Sequence, residues 1–139
     1  MKKTVITSVS LILVAVFMLF SVSCAKKVDA TGAWESATYL KDTTLGKGAK
    51  EIKVEIEAGD QSITLTVKTD KETLGDALFE LGLINDAAFF DTLNGMKADF
   101  NDGGMFWKFI INGETAAHGV NDEKISGGES YKFLMTNEW

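Results

Sequence analysis

The chain contains no arginine: all 14 of its basic residues are lysine, set against 20 acids. Without a planar guanidinium fork there is no bidentate reader of phosphate or carboxylate. An excess of acid also leaves no cluster of cations to neutralise a phosphate backbone, so nucleic acid is not an expected partner. Cysteine and histidine occur once each. A lone cysteine closes no internal disulfide, so a folded domain must be held by its core. Cys24 and His118 make no zinc spacing, and no activated Ser or Cys stands beside a positioned base. No G-x-x-x-x-G-K-[ST] or G-x-G-x-x-G stretch lies in a context that would cradle phosphate. Asp99, Asn101 and Gly104 imitate the start of a calcium loop, but Ile110 stands where a bidentate glutamate belongs. Adjacent acids such as Asp122 and Glu123 sit in a polar loop that fixes no separation between them. The inventory points to a protein that binds and does not catalyse, with no required cofactor or protein-bound metal.

What is present begins at the N-terminus. Lys2 and Lys3 precede an apolar run from Val5 to Phe20, followed by Ser21-Val22-Ser23-Cys24. A basic start, an apolar stretch short for a membrane span and small residues before a cleavage point describe an export signal over residues 1–23. The run resembles a bacterial lipobox, which implies lipidation of Cys24, anchoring to a bacterial membrane and an extracytoplasmic location. Removing the signal leaves 116 residues with 12 lysines against 20 acids, a formal charge of −8. That length holds one core and no second domain. Residues 24–32 are small and polar and read as a lipidated tether. The domain then occupies 33–139. Trp34, Tyr39 and Leu40 predict an edge strand or a packed segment, and Thr43, Thr44, Gly46 and Gly48 predict a loop.

Two strands follow. Ile52, Val54 and Ile56 alternate with charged residues, Ile63, Leu65 and Val67 alternate with polar ones, and Gly59-Asp60 between them predicts an antiparallel hairpin. The period then changes. Thr69 and Glu72 fit a capping box, Leu74, Ala77, Leu78 and Leu81 recur at helical spacing, and Gly82 fits a left-handed stop, so one amphipathic helix of about three turns is expected. Asn94-Gly95 and Asn112-Gly113 are tight-turn signals, the second closing the aromatic strand from Phe106 to Ile111, and a last strand spans 131–136. A hairpin, one helix and further strands predict an α+β domain with a mixed sheet and a single packed helix, of which the β-grasp-like fold is one solution.

One helix covers one face of a sheet. If Trp107, Phe109, Ile111, Tyr131, Phe133 and Met135 face the helix, then Phe106, Ile110 and Leu134 face away. These are either an apolar contact surface or core beneath the segment around Trp34.

The C-terminal third, FWKFIINGETAAHGVNDEKISGGESYKFLMTNEW, resembles the C-terminal domain of transcobalamin and intrinsic factor and of bacterial lipoproteins that share it. The resemblance is carried by the aromatic-Trp strand, Thr115, Gly119-Val120, the Gly127 to Glu129 turn and the strand ending in Trp139. Upstream it extends through ATYLKDTTLGKGAK, TVKTDKETLGDALFELGLI and LNGMKADF, so it spans most of the chain after Gly32. It implies a β-grasp-like fold and a corrinoid ligand, cobalamin or another cobamide, taken up at the membrane. The implied contacts are Ala117, His118, Gly119 and Val120 with Trp107 near by, joined by Phe106 and Leu134 on the strands, and His118 as a possible ligand of the corrinoid cobalt. A nearly neutral disc fringed with amides suits an apolar surface with backbone donors and acceptors. The animal carriers close the site with a large helical domain that 116 residues cannot contain, so a second protein such as a transporter component is expected to complete it. The alternative function is a surface-attachment or protein-docking module that takes a polypeptide on its open face or sheet edge.

Overall fold

The computed structural model describes residues 26–139. The expected signal and Cys24, the expected lipidation site, lie outside the described residues. The α+β class is the one adopted, as a β-grasp-like arrangement of one α-helix on a six-stranded mixed sheet with a small two-stranded sheet beside it. The strands are β1 (Thr43–Gly46), β2 (Lys50–Ala58) and β3 (Gln61–Thr69). The helix α1 (Leu74–Glu80) follows, and then β4 (Thr92–Leu93), β5 (Met96–Lys97), β6 (Phe106–Ile111), β7 (Glu114–Thr115) and β8 (Ser130–Thr136). The large sheet runs β1-β3-β2-β8-β6-β7, with β1 parallel to β3 and β2 parallel to β8. No helix among the described residues is long and apolar enough to cross a membrane.

Register decides the faces. Val54 pairs with Tyr131 and Ile56 with Phe133 across β2 and β8. Phe109 pairs with Phe133 and Trp107 with Met135 across β6 and β8. Because side chains alternate along a strand, these residues share the inner face with Ile63, Leu65 and Val67. They form one hydrophobic core with Leu74, Ala77 and Leu78 of α1. The expected inward set is the observed one. The other face carries Lys53, Glu55, Glu57, Thr64, Lys108, Ile110, Lys132 and Leu134. There the Lys132 ammonium lies 3.0 Å from Glu57 and 3.8 Å from Glu55. The apolar contact surface expected on that face is therefore interrupted: Leu134 sits opposite Lys108 and Ile110 opposite Lys132, and each is only half-buried.

Several local expectations are corrected. Thr43 to Gly46 is a strand and not a loop, because its backbone pairs in parallel with Leu65 to Lys68. Thr69 does not cap the helix; it is the last residue of β3, paired with Lys50, and its hydroxyl accepts from the Lys71 amide. The cap is Thr73, whose hydroxyl accepts the Asp76 amide at 3.3 Å. The helix accordingly has seven residues, about two turns. Gly82 does take the left-handed conformation at φ 69°. There its amide donates to the Phe79 carbonyl while Leu83 donates to that of Leu78.

Trp34 forms no edge strand. It lies in a 3-10 turn, Gly32–Ser36, is 2% exposed in the inner core, and its indole donates to the Ala58 carbonyl at the end of β2. The segment around it therefore covers the helix side and leaves Phe106, Ile110 and Leu134 uncovered by it. The stretch read as a tether is docked from Lys26 onward. Val28 is buried and bonds the Leu40 carbonyl, Lys26 donates to the Ser62 hydroxyl at 2.7 Å, and Asp29 and Gln61 exchange two hydrogen bonds.

Candidate functional site

A two-turn helix is too short to cover six strands. The inner residues of β2 and β3 are fully buried, whereas Phe109, Ile111 and Met135 toward the β6 side remain half-buried. Two loops, 85–91 and 116–120, cover that side in place of the helix. Between them is a cleft of about 360 Å³ lined by Asn85, Ala88, Phe89, Phe90, Asp91, Trp107, Phe109, Gly119 and Val120.

Its floor and walls are aromatic. Phe109 stacks on Phe133 at 5.1 Å, and Phe90 meets the same ring edge-on at 5.7 Å. Such pairs hold ring orientation beyond what burial alone does. Trp107 is 8% exposed, and its indole donates to the Met96 carbonyl at 3.2 Å, so the ring is fixed edge and face. Phe89 stands at the mouth, 92% exposed.

The 85–91 loop is shaped by its own carboxylates. The Asp86 carboxylate accepts from the Ala88 and Phe89 amides at 2.7 and 3.0 Å. The Phe89 and Ala88 bonds hold its pKa below the usual range. Asp91 accepts from the Thr92 hydroxyl and from Asn85 Nδ2. The Thr92 bond is the main cause of its lowered pKa, against a smaller opposing cost of burial. The cleft thus has one polar rim, Asn85 and Asp91, beside an apolar floor.

Loop 85–91 and the 3-10 turn Val120–Asp122 that ends the second loop both meet one residue of α1. A Cβ at Gly75 would stand 2.7 Å from the Ala87 carbonyl oxygen and 3.2 Å from Asn121 Cα and N. Only a residue without a side chain lets the two loops meet over the helix. The stretch after that turn is paired to the start of the helix: Leu74 donates to the Glu123 carbonyl and Ile125 to that of Glu72.

Of the residues expected to contact a ligand, Trp107, Gly119 and Val120 are brought together in the cleft. His118 and Ala117 lie exposed beside it and do not line it. Phe106 and Leu134 lie on the opposite face of the sheet and cannot reach it. His118 Nε2 is 2.6 Å from Glu123 Oε1, and the other oxygen of Glu123 accepts the Tyr131 hydroxyl at 2.8 Å. Burial, then that bond to the Glu123 carboxylate, pushes the Tyr131 pKa up, so the phenol stays a donor. The chain Tyr131–Glu123–His118 thereby fixes the imidazole beside the cleft. Sequence reasoning missed Phe89, Phe90, Asn85 and Asp91 as lining. The double phenylalanine in a polar stretch was the available signal.

The Asp99 turn is held by its own geometry, its carboxylate accepting from the Asn101 amide. No group of three His, Cys, Asp or Glu among the described residues stands close enough to hold a metal ion. The edges open to strand addition are short: β1 has four residues, and β7 covers β6 only at Ile110 and Ile111, which leaves Phe106 to Lys108 without a strand partner on that side among the described residues.

Neither a family model nor a curated protein matches the chain. Among solved structures, a candidate metal binding protein from Ruminococcus gnavus aligns with a TM-score of 0.59 at 21% identity, over 66% of this chain and 100% of its own. What it shares with this chain is the fold. Haptocorrin in complex with Cbi aligns with a TM-score of 0.48 at 13% identity, over 65% of this chain, which spans 25% of haptocorrin's length.

Proposed function

We propose that the protein is a lipid-anchored, extracytoplasmic binding protein that captures a corrinoid in the cleft between loops 85–91 and 116–120 and acts in its uptake without chemically changing it. The observation that carries this reading is the meeting of Trp107, Gly119 and Val120, three of the residues implied by the transcobalamin-type motifs, with Phe89, Phe90 and Phe109 around one opening. An aromatic floor with a polar rim suits a disc whose faces are apolar and whose edge carries amides. A cleft of about 360 Å³ takes an edge of a corrin and leaves the rest wet, which fits a half-site completed by a second protein beside it on the membrane. His118 reaches a cobalt only through Nδ1 while Nε2 rests on Glu123. A carboxylate behind an imidazole is the usual support of a metal-bound histidine.

The test is titration of residues 25–139 with cyanocobalamin and aquocobalamin, followed by heat, tryptophan quenching and the corrinoid visible spectrum. Saturable binding is expected, lost in Trp107→Ala and unchanged in Phe106→Ala and Leu134→Ala on the opposite face. A shift with aquocobalamin that His118→Ala abolishes identifies cobalt ligation. Silence with both ligands at high-micromolar concentration, with the fold intact, refutes capture by this domain alone.

A further inference from the structure

The open face of the sheet carries an aromatic cluster that the cleft does not use. Phe106 and Trp139 stack at 4.3 Å with their planes 17° apart, and Phe100 meets Trp139 edge-on at 6.4 Å. Burial of the cluster is poor: Trp139 is 87% exposed and Phe100 60%. Exposed aromatics gathered in one place mark a contact surface.

The position of this cluster relative to the N-terminal segment decides what it contacts. Lys26 donates to the hydroxyl of Ser62, near the start of β3. Across the open face Ser62 pairs with Glu57, Glu57 with Leu134 and Leu134 with Lys108. The next row toward the same end of the sheet is Thr136 paired with Phe106. The Lys26 ammonium and the aromatic cluster therefore lie on one face toward one end of the sheet, with three strand spacings, about 14 Å, between the strands of Ser62 and Phe106 and one row between the two residues. Cys24 precedes Lys26 by two residues, a reach of about 7 Å at full extension.

We propose that the end of the sheet bearing Phe100, Phe106 and Trp139 rests on the lipid bilayer, with these rings in the headgroup region. The inference depends on the anchoring of Cys24 proposed above. With so short a reach, a lipidated Cys24 brings this end of the domain to the membrane surface, and tryptophan and phenylalanine with a polar surround are suited to that interface. The nearby charges are mixed, Lys26 and Lys108 against Glu57, Asp99, Asp102 and Glu138, so the rings and not net charge provide the contact, and it is made with neutral lipid. The ligand cleft opens on the other face of the sheet.

The test uses the full-length protein, processed in a bacterial membrane and purified, in vesicles of phosphatidylcholine brominated near the headgroup end of the acyl chains. Mass spectrometry of the N-terminal peptide first establishes whether Cys24 carries lipid. With the lipid present, bromine quenching of tryptophan emission is expected, nearly abolished in Trp139→Phe because Trp34 and Trp107 are buried. Quenching should be unaltered by high salt. A lipidated protein whose Trp139 is unquenched, or is shielded from acrylamide equally in detergent and in vesicles as burial against a second copy would produce, overturns the inference and leaves anchoring intact. An unmodified Cys24 overturns both.

Discussion

Asn94 should be the costliest polar side chain to remove. It is fully buried with φ at 54°. Its side chain accepts from the Tyr39 amide at 2.9 Å and donates to the Tyr39 carbonyl at 3.0 Å, which mimics a strand partner for an otherwise unpaired residue. Its backbone bonds Leu83 and Thr38, each at 2.8 Å. Asn94→Ala leaves two backbone groups without partners, about 1–1.5 kcal/mol each in a part-buried site. Both residues carry a Cβ, but asparagine tolerates the left-handed region better than alanine, so part of that region's cost of about 1–2 kcal/mol is added. The expected loss is about 3–4 kcal/mol, a large share of the 5–15 kcal/mol of a typical domain. Asn94→Gly removes the same two bonds without the left-handed penalty and should lose about 2 kcal/mol. Urea unfolding of residues 25–139, followed by tryptophan fluorescence and circular dichroism, measures both. Because Asn94 bonds Leu83 and Leu93 bridges to Ile84, amide exchange in loop 85–91 should rise in step. Asn94→Ala within about 0.5 kcal/mol of the parent, or as stable as Asn94→Gly, would refute this account.

Gly75→Ala raises helix propensity, yet its methyl would press on the Ala87 carbonyl and the Asn121 backbone. A net loss of about 1–2 kcal/mol is expected in the same unfolding assay, with faster exchange in both cleft loops. Burial tends to raise the Glu129 pKa, but bonds from the Ser126 and Gly127 amides and from its own, with the Ser126 hydroxyl, outweigh it and hold the value low. A depressed carboxylate contributes stability above its unfolded pKa and loses it as pH falls through the folded one. Unfolding midpoints should therefore fall on acidification below about pH 4, and Glu129→Gln should flatten that fall while costing about 1 kcal/mol at neutral pH. Alkaline titration followed by ultraviolet absorbance should find Tyr131 resistant to ionisation. Glu123→Gln should bring it only part of the way back, because burial is the larger cause.

Patterns that are local in the chain are legible in the sequence itself. The β2–β3 hairpin follows from two alternating stretches and a Gly-Asp turn. Both Asn-Gly turns place asparagine at φ 54°, as a two-residue hairpin requires. What escapes depends on partners distant in sequence. Residues 43–46 resemble a loop because β1 exists only through parallel pairing with residues 65–68. Thr69 and Thr73 both offer a cap. Thr69 is taken by the ladder with Lys50, which no helical pattern reveals. Asn94 reads as a turn residue, which it is, but its bonds to Tyr39 across 55 positions carry no local signal. The candidate site is half legible for the same reason. The motif locates Trp107, Gly119 and Val120, whereas alternation along β6 sends Phe106 to the other face, and loop 85–91 joins the site only through tertiary packing.

The same shortage of helix that exposes the inner aromatics also decides what the cleft can do. A longer α1 would bury Phe109 under rigid packing and leave no opening. Two turns leave the job to loops 85–91 and 116–120, the first resting on Gly75 directly and the second through the turn at Asn121 that follows it. Loops held this way can shift over the aromatic floor without breaking the β2–β3 core, because local opening draws on the least buried contacts. In the proposed function, a ligand edge entering the cleft would displace the loops and not the sheet. On that proposal the surface left outside, together with the exposed ring of Phe89, would be open to a second protein, and affinity should rise steeply when such a partner is added.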